Sequence, residues 1–178
     1  YHNVMLKLER RFNLPLAISI ADEMVKIAAI NGDLNKEASS HKNLSRYYGA
    51  MGHDLQTISH LDKALKLYER TGNQSSIINT KIAIQEQRLN YQPIEEILPD
   101  LESLLEQAIE NKDSANITLL YLRLITYTQQ AGQYDKMEEH VSYMEKYPLS
   151  DPIKPKQYGM AIHAALGRAD LFMFRKNY

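Results

Sequence analysis

The sequence predicts an all-α fold: an α-solenoid of antiparallel helix pairs, about 4.5 repeats long. Three observations predict it. Apolar residues recur at three- and four-residue spacing, as in Ile58, Leu61, Leu65 and Tyr68, or in Leu120, Leu124 and Tyr127. Such a set falls on one face of a helix. The period-two alternation of a half-buried strand is nowhere sustained. Finally, Gly32, Gly52, Gly72 and Gly132 each sit in a short polar turn, and like turns lie about 40 residues apart, the period of a helical-repeat array.

Taken in order, helices are expected at 2–12, 14–30, 35–50, 55–70, 75–90, 95–111, 114–131, 134–147 and 156–175. The turns between them are short, so consecutive helices run antiparallel. Gly32 and Gly72 separate one pair from the next, whereas Gly52 and Gly132 lie within a pair. Asp33, Asn35 and Glu37 have a calcium-loop flavour, but the glycine and closing glutamate of such a loop are missing. They read as a helix start capped after the Gly32 turn. Pro93 and Pro99 are either two first-turn prolines or a small insertion ahead of a helix. The carboxylates Glu95, Glu96, Asp100 and Glu102 cluster at that helix start, where the helix dipole favours negative charge. The segment from Pro148 to Pro155 holds three prolines and reads as a loop.

Composition narrows the function. A net charge of -1 gives no general attraction to nucleic acid or to an anionic membrane surface. The absence of cysteine removes disulfides, thiolate zinc sites and a cysteine nucleophile. No apolar run reaches the roughly 18 residues of a membrane span, and residues 1–10 carry no signal-peptide pattern. There is no phosphate-cradling glycine loop, zinc-protease helix or nucleophile elbow. His2, His41, His53, His60, His140 and His163 show no metal-ligand spacing and read as surface or cap residues. The expectation is a non-enzyme with no cofactor and no metal. Most of the twelve tyrosines fall at packing positions, with the hydroxyl at the rim.

The clearest unit runs from Ser39 to Asn73. Its Leu44, Tyr48, Gly52, Ala64 and Leu65 match the tetratricopeptide repeat (TPR) pattern, with Ser45, Thr57 and Leu61 standing in for the usual Gly, Ala and aromatic residue. Tyr121, Leu124, Gly132, Tyr134 and Val141 fill equivalent slots in a second unit, and Leu14, Ala17 and Ala21 match the start of a second helix. Leu101, Leu105 and Ala108 do so in an irregular third unit, while Ala165, Ala169 and Phe172 match a first helix. The chain therefore resembles the TPR family over essentially its whole length. Units fall at about 1–34, 35–73, 74–112 and 113–150, with a half unit at 153–178. The cut last unit and the lack of an initiator Met make the chain read as a fragment of a longer protein.

The resemblance implies a protein- or peptide-binding scaffold whose contacts come from exposed positions on the first helix of each pair. Projected onto this sequence, these are Lys42, Asn43 and Arg46, then Asn79, Ile82 and Glu86, then Leu122, Arg123 and Thr126. Lys42 and Arg46 share one helix face, being four residues apart. With Asn43 they look like part of the clamp with which some family members hold a peptide carboxylate; alternatively, they are ordinary solvated charges. Ile82 and Glu86 stand where that clamp wants basic or amide residues, so it is incomplete. The array also resembles the sensor or regulatory segment of a bacterial signalling protein, whose partner is a protein, a peptide or an output domain of the same chain. The alternative is the TPR-like part of an envelope lipoprotein binding carbohydrate or another envelope protein. A homodimer through the C-terminal half repeat is a further expectation. The compartment, periplasmic or cytoplasmic, stays open.

Overall fold

The computed structural model describes residues 13–146, which form seven helices and no strand. They are α1 (Leu14–Ile30), α2 (Leu34–Ala50), α3 (Asp54–Thr71), α4 (Gln74–Arg88), α5 (Ile94–Glu110), α6 (Ser114–Gln130) and α7 (Tyr134–Lys146). The helices expected at 2–12 and 156–175, the proline loop and the half unit lie outside the described residues. None of the seven helices is long and apolar enough to cross a membrane. The chain divides into two compact units, one ending at Gln87 and the other beginning at Arg88.

In the first unit, α1 packs on α2 and α2 on α3. Small residues set these approaches. Ala17 and Ala21 of α1 are fully buried against Leu44 and Tyr47 of α2. Ala38 and Ala64 are likewise buried in a second cluster with Leu67, Tyr68 and Ile77, which ties in the start of α4. Dispersion contacts accumulate where such small side chains admit a neighbour closely.

Side chains and reversed backbone mark the helix ends. Asn13 caps α1 by accepting from the Leu16 N–H at 3.3 Å, and Asp33 caps α2 by accepting from Lys36 N–H at 3.0 Å. The Asp33 segment is thus a helix cap, in accord with the sequence. Gly32 is left-handed (φ +67°), and its turn closes with Asp33 N–H donating to Ala28 O at 2.9 Å and Gly32 N–H to Ala29 O at 3.1 Å. This paired pattern satisfies carbonyls that the helix end leaves open.

The same turn recurs between α5 and α6 without glycine. Asp113 N–H donates to Ala108 O at 2.9 Å, Lys112 N–H to Ile109 O at 2.9 Å, and Lys112 itself is left-handed (φ +53°). Positions 32, 72 and 112 therefore hold one turn position at a constant 40-residue spacing, filled by Gly, Gly and Lys.

In the second unit α5 packs on α6 and α6 on α7. Ile97, Leu98, Leu101, Leu104 and Ala108 of α5 are buried, as are Ile117, Leu120 and Leu124 of α6 and Met137 and Val141 of α7. The segment between α4 and α5 spans 89–93, longer than the other connections. Pro93 occupies the N-cap of α5, but Pro99 lies inside the helix, so only Pro93 sits at the helix start. Lacking an N–H, Pro99 leaves the Glu95 carbonyl without its intrahelical donor. Of the acidic cluster, Glu95 and Glu96 lie in the first turn. Asp100 instead accepts from Arg88 Nη1 at 2.6 Å, and Glu102 from Lys136 Nζ at 3.1 Å.

Candidate functional site

The first unit carries a groove of about 630 Å³ whose walls come from α2 and α4, with Met24 of α1 and with Thr57 and Leu61 of α3. Lys42, Asn43 and Arg46 line it from α2, and Glu86 and Gln87 from α4. Lys42 Nζ donates to the Asn79 side-chain oxygen, joining α2 to α4 across 37 residues of sequence. Arg46 Nη2 reaches the Asn43 side-chain oxygen at 3.5 Å, and its guanidinium lies 5.3 Å from the Tyr47 ring centroid. Five of the expected residues, Lys42, Asn43, Arg46, Asn79 and Glu86, are thus brought together, the first three and Glu86 at the groove and Asn79 through Lys42.

Ile82 is not among them. It is buried in the core, and Ala83 lines the groove instead. On α4, Ile78 and Ile82 are four residues apart and share the inward face. Arg123 and Thr126 lie on α6 in the second unit and are not part of this lining; Thr126 spends its hydroxyl on the Leu122 carbonyl at 2.8 Å. Gly49 and Thr57 belong to the groove without having been anticipated. A Cβ added at Gly49 would meet Thr57 Oγ1 at 3.5 Å, so the bare glycine keeps this part of the floor low.

Electrostatically the groove is strained on one side. Burial pushes the Lys42 ammonium below the usual lysine range, Arg46 pushes it in the same direction, and Glu86 pulls it back. Two cations share one wall and a carboxylate faces them from α4. An anionic group placed between Lys42 and Arg46 relieves both the lost solvation and the repulsion.

Behind α2 lies a second set of polar side chains. His41 is buried and its Nδ1 lies 3.1 Å from His60 Nδ1, while Tyr48 stacks on the His60 ring at 5.4 Å. Only one proton fits between the two nitrogens, so one imidazole donates and the other accepts. Burial, with help from His60 and Lys63, lowers the His41 pKa to about 4. His60 is lowered by burial and by Lys63, with Asp22 opposing. The sequence reading of these histidines as surface or cap residues holds for His53, which occupies the α3 N-cap without a side-chain cap bond, and fails for His41 and for the buried His140. Among the described residues no three side chains form a group that could hold a metal ion.

No family model and no curated protein matches the chain. Solved structures do. The kinesin light chain-like TPR repeats of Podosopora anserina align with a TM-score of 0.68 at 14% identity, covering 98% of this chain and 87% of that one. The fold is TPR-like. A variant of the same protein aligns with a TM-score of 0.69, again at 14% identity, over 98% of this chain and 86% of the other. These alignments bear out the helical-repeat fold expected from Leu44, Tyr48, Gly52, Ala64 and Leu65.

Proposed function

We propose that the chain is a non-catalytic scaffold whose first-unit groove binds a peptide segment of a partner protein through a single terminal carboxylate. One observation carries this reading: Lys42 and Arg46, like charges four residues apart, face a groove of about 630 Å³ in which Lys42 has lost solvation. The Asn43 and Gln87 side chains in the lining offer donors and acceptors for a peptide backbone. Glu86 on the opposite wall disfavours a uniformly acidic ligand and suits one bearing an isolated carboxylate. In this reading Arg123 and Thr126 contribute to partner binding from the second unit. The scaffold would serve as the sensor or regulatory segment of a larger bacterial signalling protein, a role supported by the TPR resemblance.

The test is a fluorescence anisotropy titration of the whole chain with a labelled peptide ending in a free carboxylate, against its amidated counterpart. The free acid is expected to bind more tightly, and Lys42→Glu with Arg46→Glu to weaken it at least tenfold while the melting temperature moves little. Equal binding of both peptides, or of both proteins, refutes the assignment.

A further inference from the structure

The second unit has a groove of its own, about 540 Å³, between α5 and α7. We propose that it is a docking site for a basic segment of a partner protein, one presenting an arginine or lysine beside an apolar residue.

Charge complementarity selects the occupant. Glu102 and Glu106 line the groove from α5 and Glu139 from α7, against a single ammonium, Lys136. Three carboxylates and one cation leave a net charge of -2 on the rim. Glu106 and Glu139 are exposed and form no ion pair among the described residues. The chain's own Lys136 Nζ sits 3.1 Å from Glu102 Oε1, which shows that an ammonium is accommodated at this rim. The apolar part of the lining is large: Ile109 is 47% exposed and Tyr143 52% exposed. An arginine beside a leucine or similar residue matches both halves, and arginine and aromatic groups dominate such contacts.

A second observation is independent of the carboxylates. His140 is 8% exposed and lines the groove, and its Nε2 is buried with no hydrogen-bond partner. The Glu102 carboxylate Oε1 lies 4.0 Å from it, too far for a hydrogen bond. A buried polar atom without a partner costs free energy comparable to a lost hydrogen bond. Burial lowers the His140 pKa, aided by Lys136, while Glu102 and Glu139 oppose. A neutral ring protonated at Nδ1 presents Nε2 as an acceptor, and an incoming guanidinium or ammonium N–H supplies the missing donor. This site shares no residue with the Lys42 groove, and its charge is opposite.

The experiment uses the whole chain and a labelled peptide of alternating arginine and leucine, with a glutamate–leucine peptide as control. Anisotropy at low salt is expected to show binding of the arginine peptide only, weakened at least tenfold in Glu106→Lys/Glu139→Lys and changed less than twofold in Lys42→Glu/Arg46→Glu. Circular dichroism checks that both variants fold, and histidine ring resonances are expected to shift at His140 on titration. Unchanged affinity in the Glu106/Glu139 variant, or binding without a shift at His140, overturns the proposal. So does sedimentation of the free chain as a dimer that the Glu106/Glu139 variant dissolves, since the groove would then be covered by a second copy.

Discussion

Acidification should destabilise this protein by an amount that can be worked from His41. The imidazole is buried between α2 and α3, in contact with His60, and its pKa in the folded chain is about 4. The unfolded chain restores the ordinary value of about 6.5. The folded state thus holds fewer protons, so stability is complete above about pH 6.5 and is lost as pH falls toward about 4. At about pH 5 the unfolded imidazole is nearly all protonated and the folded one about a tenth so, a difference of about 2 kcal/mol. Below about pH 4 the loss approaches about 3 kcal/mol. Lys63 adds to the depression at both rings, while Asp22 opposes it at His60.

The assay is urea unfolding at about pH 7.5 and about pH 5, on the wild type and on His41→Asn. Asparagine keeps a polar atom near the position of Nδ1 but does not titrate. The wild type should lose about 2 kcal/mol more than the variant between the two pH values. His60 and His140, also lowered, add a loss of the same sign to both proteins. An equal loss in wild type and variant would refute the burial argument. A larger loss in the variant would show that the His41–His60 contact survives protonation.

Two further substitutions test the backbone reading. Lys112→Gly should raise stability by about 0.5–1 kcal/mol in the same unfolding assay, because a left-handed non-glycine residue costs about 1–2 kcal/mol and glycine's extra unfolded freedom returns part of it; a neutral or negative change would mean that the Lys112 side chain stabilises the turn. Gly49→Ala should also gain about 0.5–1 kcal/mol through helix propensity, since its Cβ would meet Thr57 and Gln87 at 3.5–3.9 Å, an ordinary contact distance. Destabilisation there would show that the seam of α2, α3 and α4 is tighter than its geometry.

The seven described helices were legible to within about two residues at each end. The span 14–30 coincides with α1, and 114–131 ends one residue past α6. The reason is local. Turn residues with left-handed backbone, capping aspartates at 33 and 113 and helical apolar spacing all act within a few residues of where they are written. The pairing of Lys42 with Arg46 was legible for the same reason, being one helix turn apart. Pro99 was not, because a missing N–H inside a helix is tolerated only when packing on the rest of α5 outweighs it, and six of that helix's residues are buried.

What joins one helix to another is written far apart, and only the repeat register bridges it. Lys42 meets Asn79 across 37 residues, close to one repeat, and this contact was within reach once the register was known. His41 meets His60 across 19 residues, within a single pair, where no periodicity points. The register also has a marker, the left-handed glycine, and a marker can be replaced without the turn being lost. At position 112 a lysine adopts the glycine's backbone, makes the same two turn hydrogen bonds and keeps the 40-residue spacing. The backbone repeat is therefore more regular than the sequence that encodes it. That regularity has a limit inside α4, where Ala83 rather than Ile82 faces the groove. The spacing of Asn79, Ile82 and Glu86 placed Ile82 on that face, but its burial with Ile78 turns it into the core.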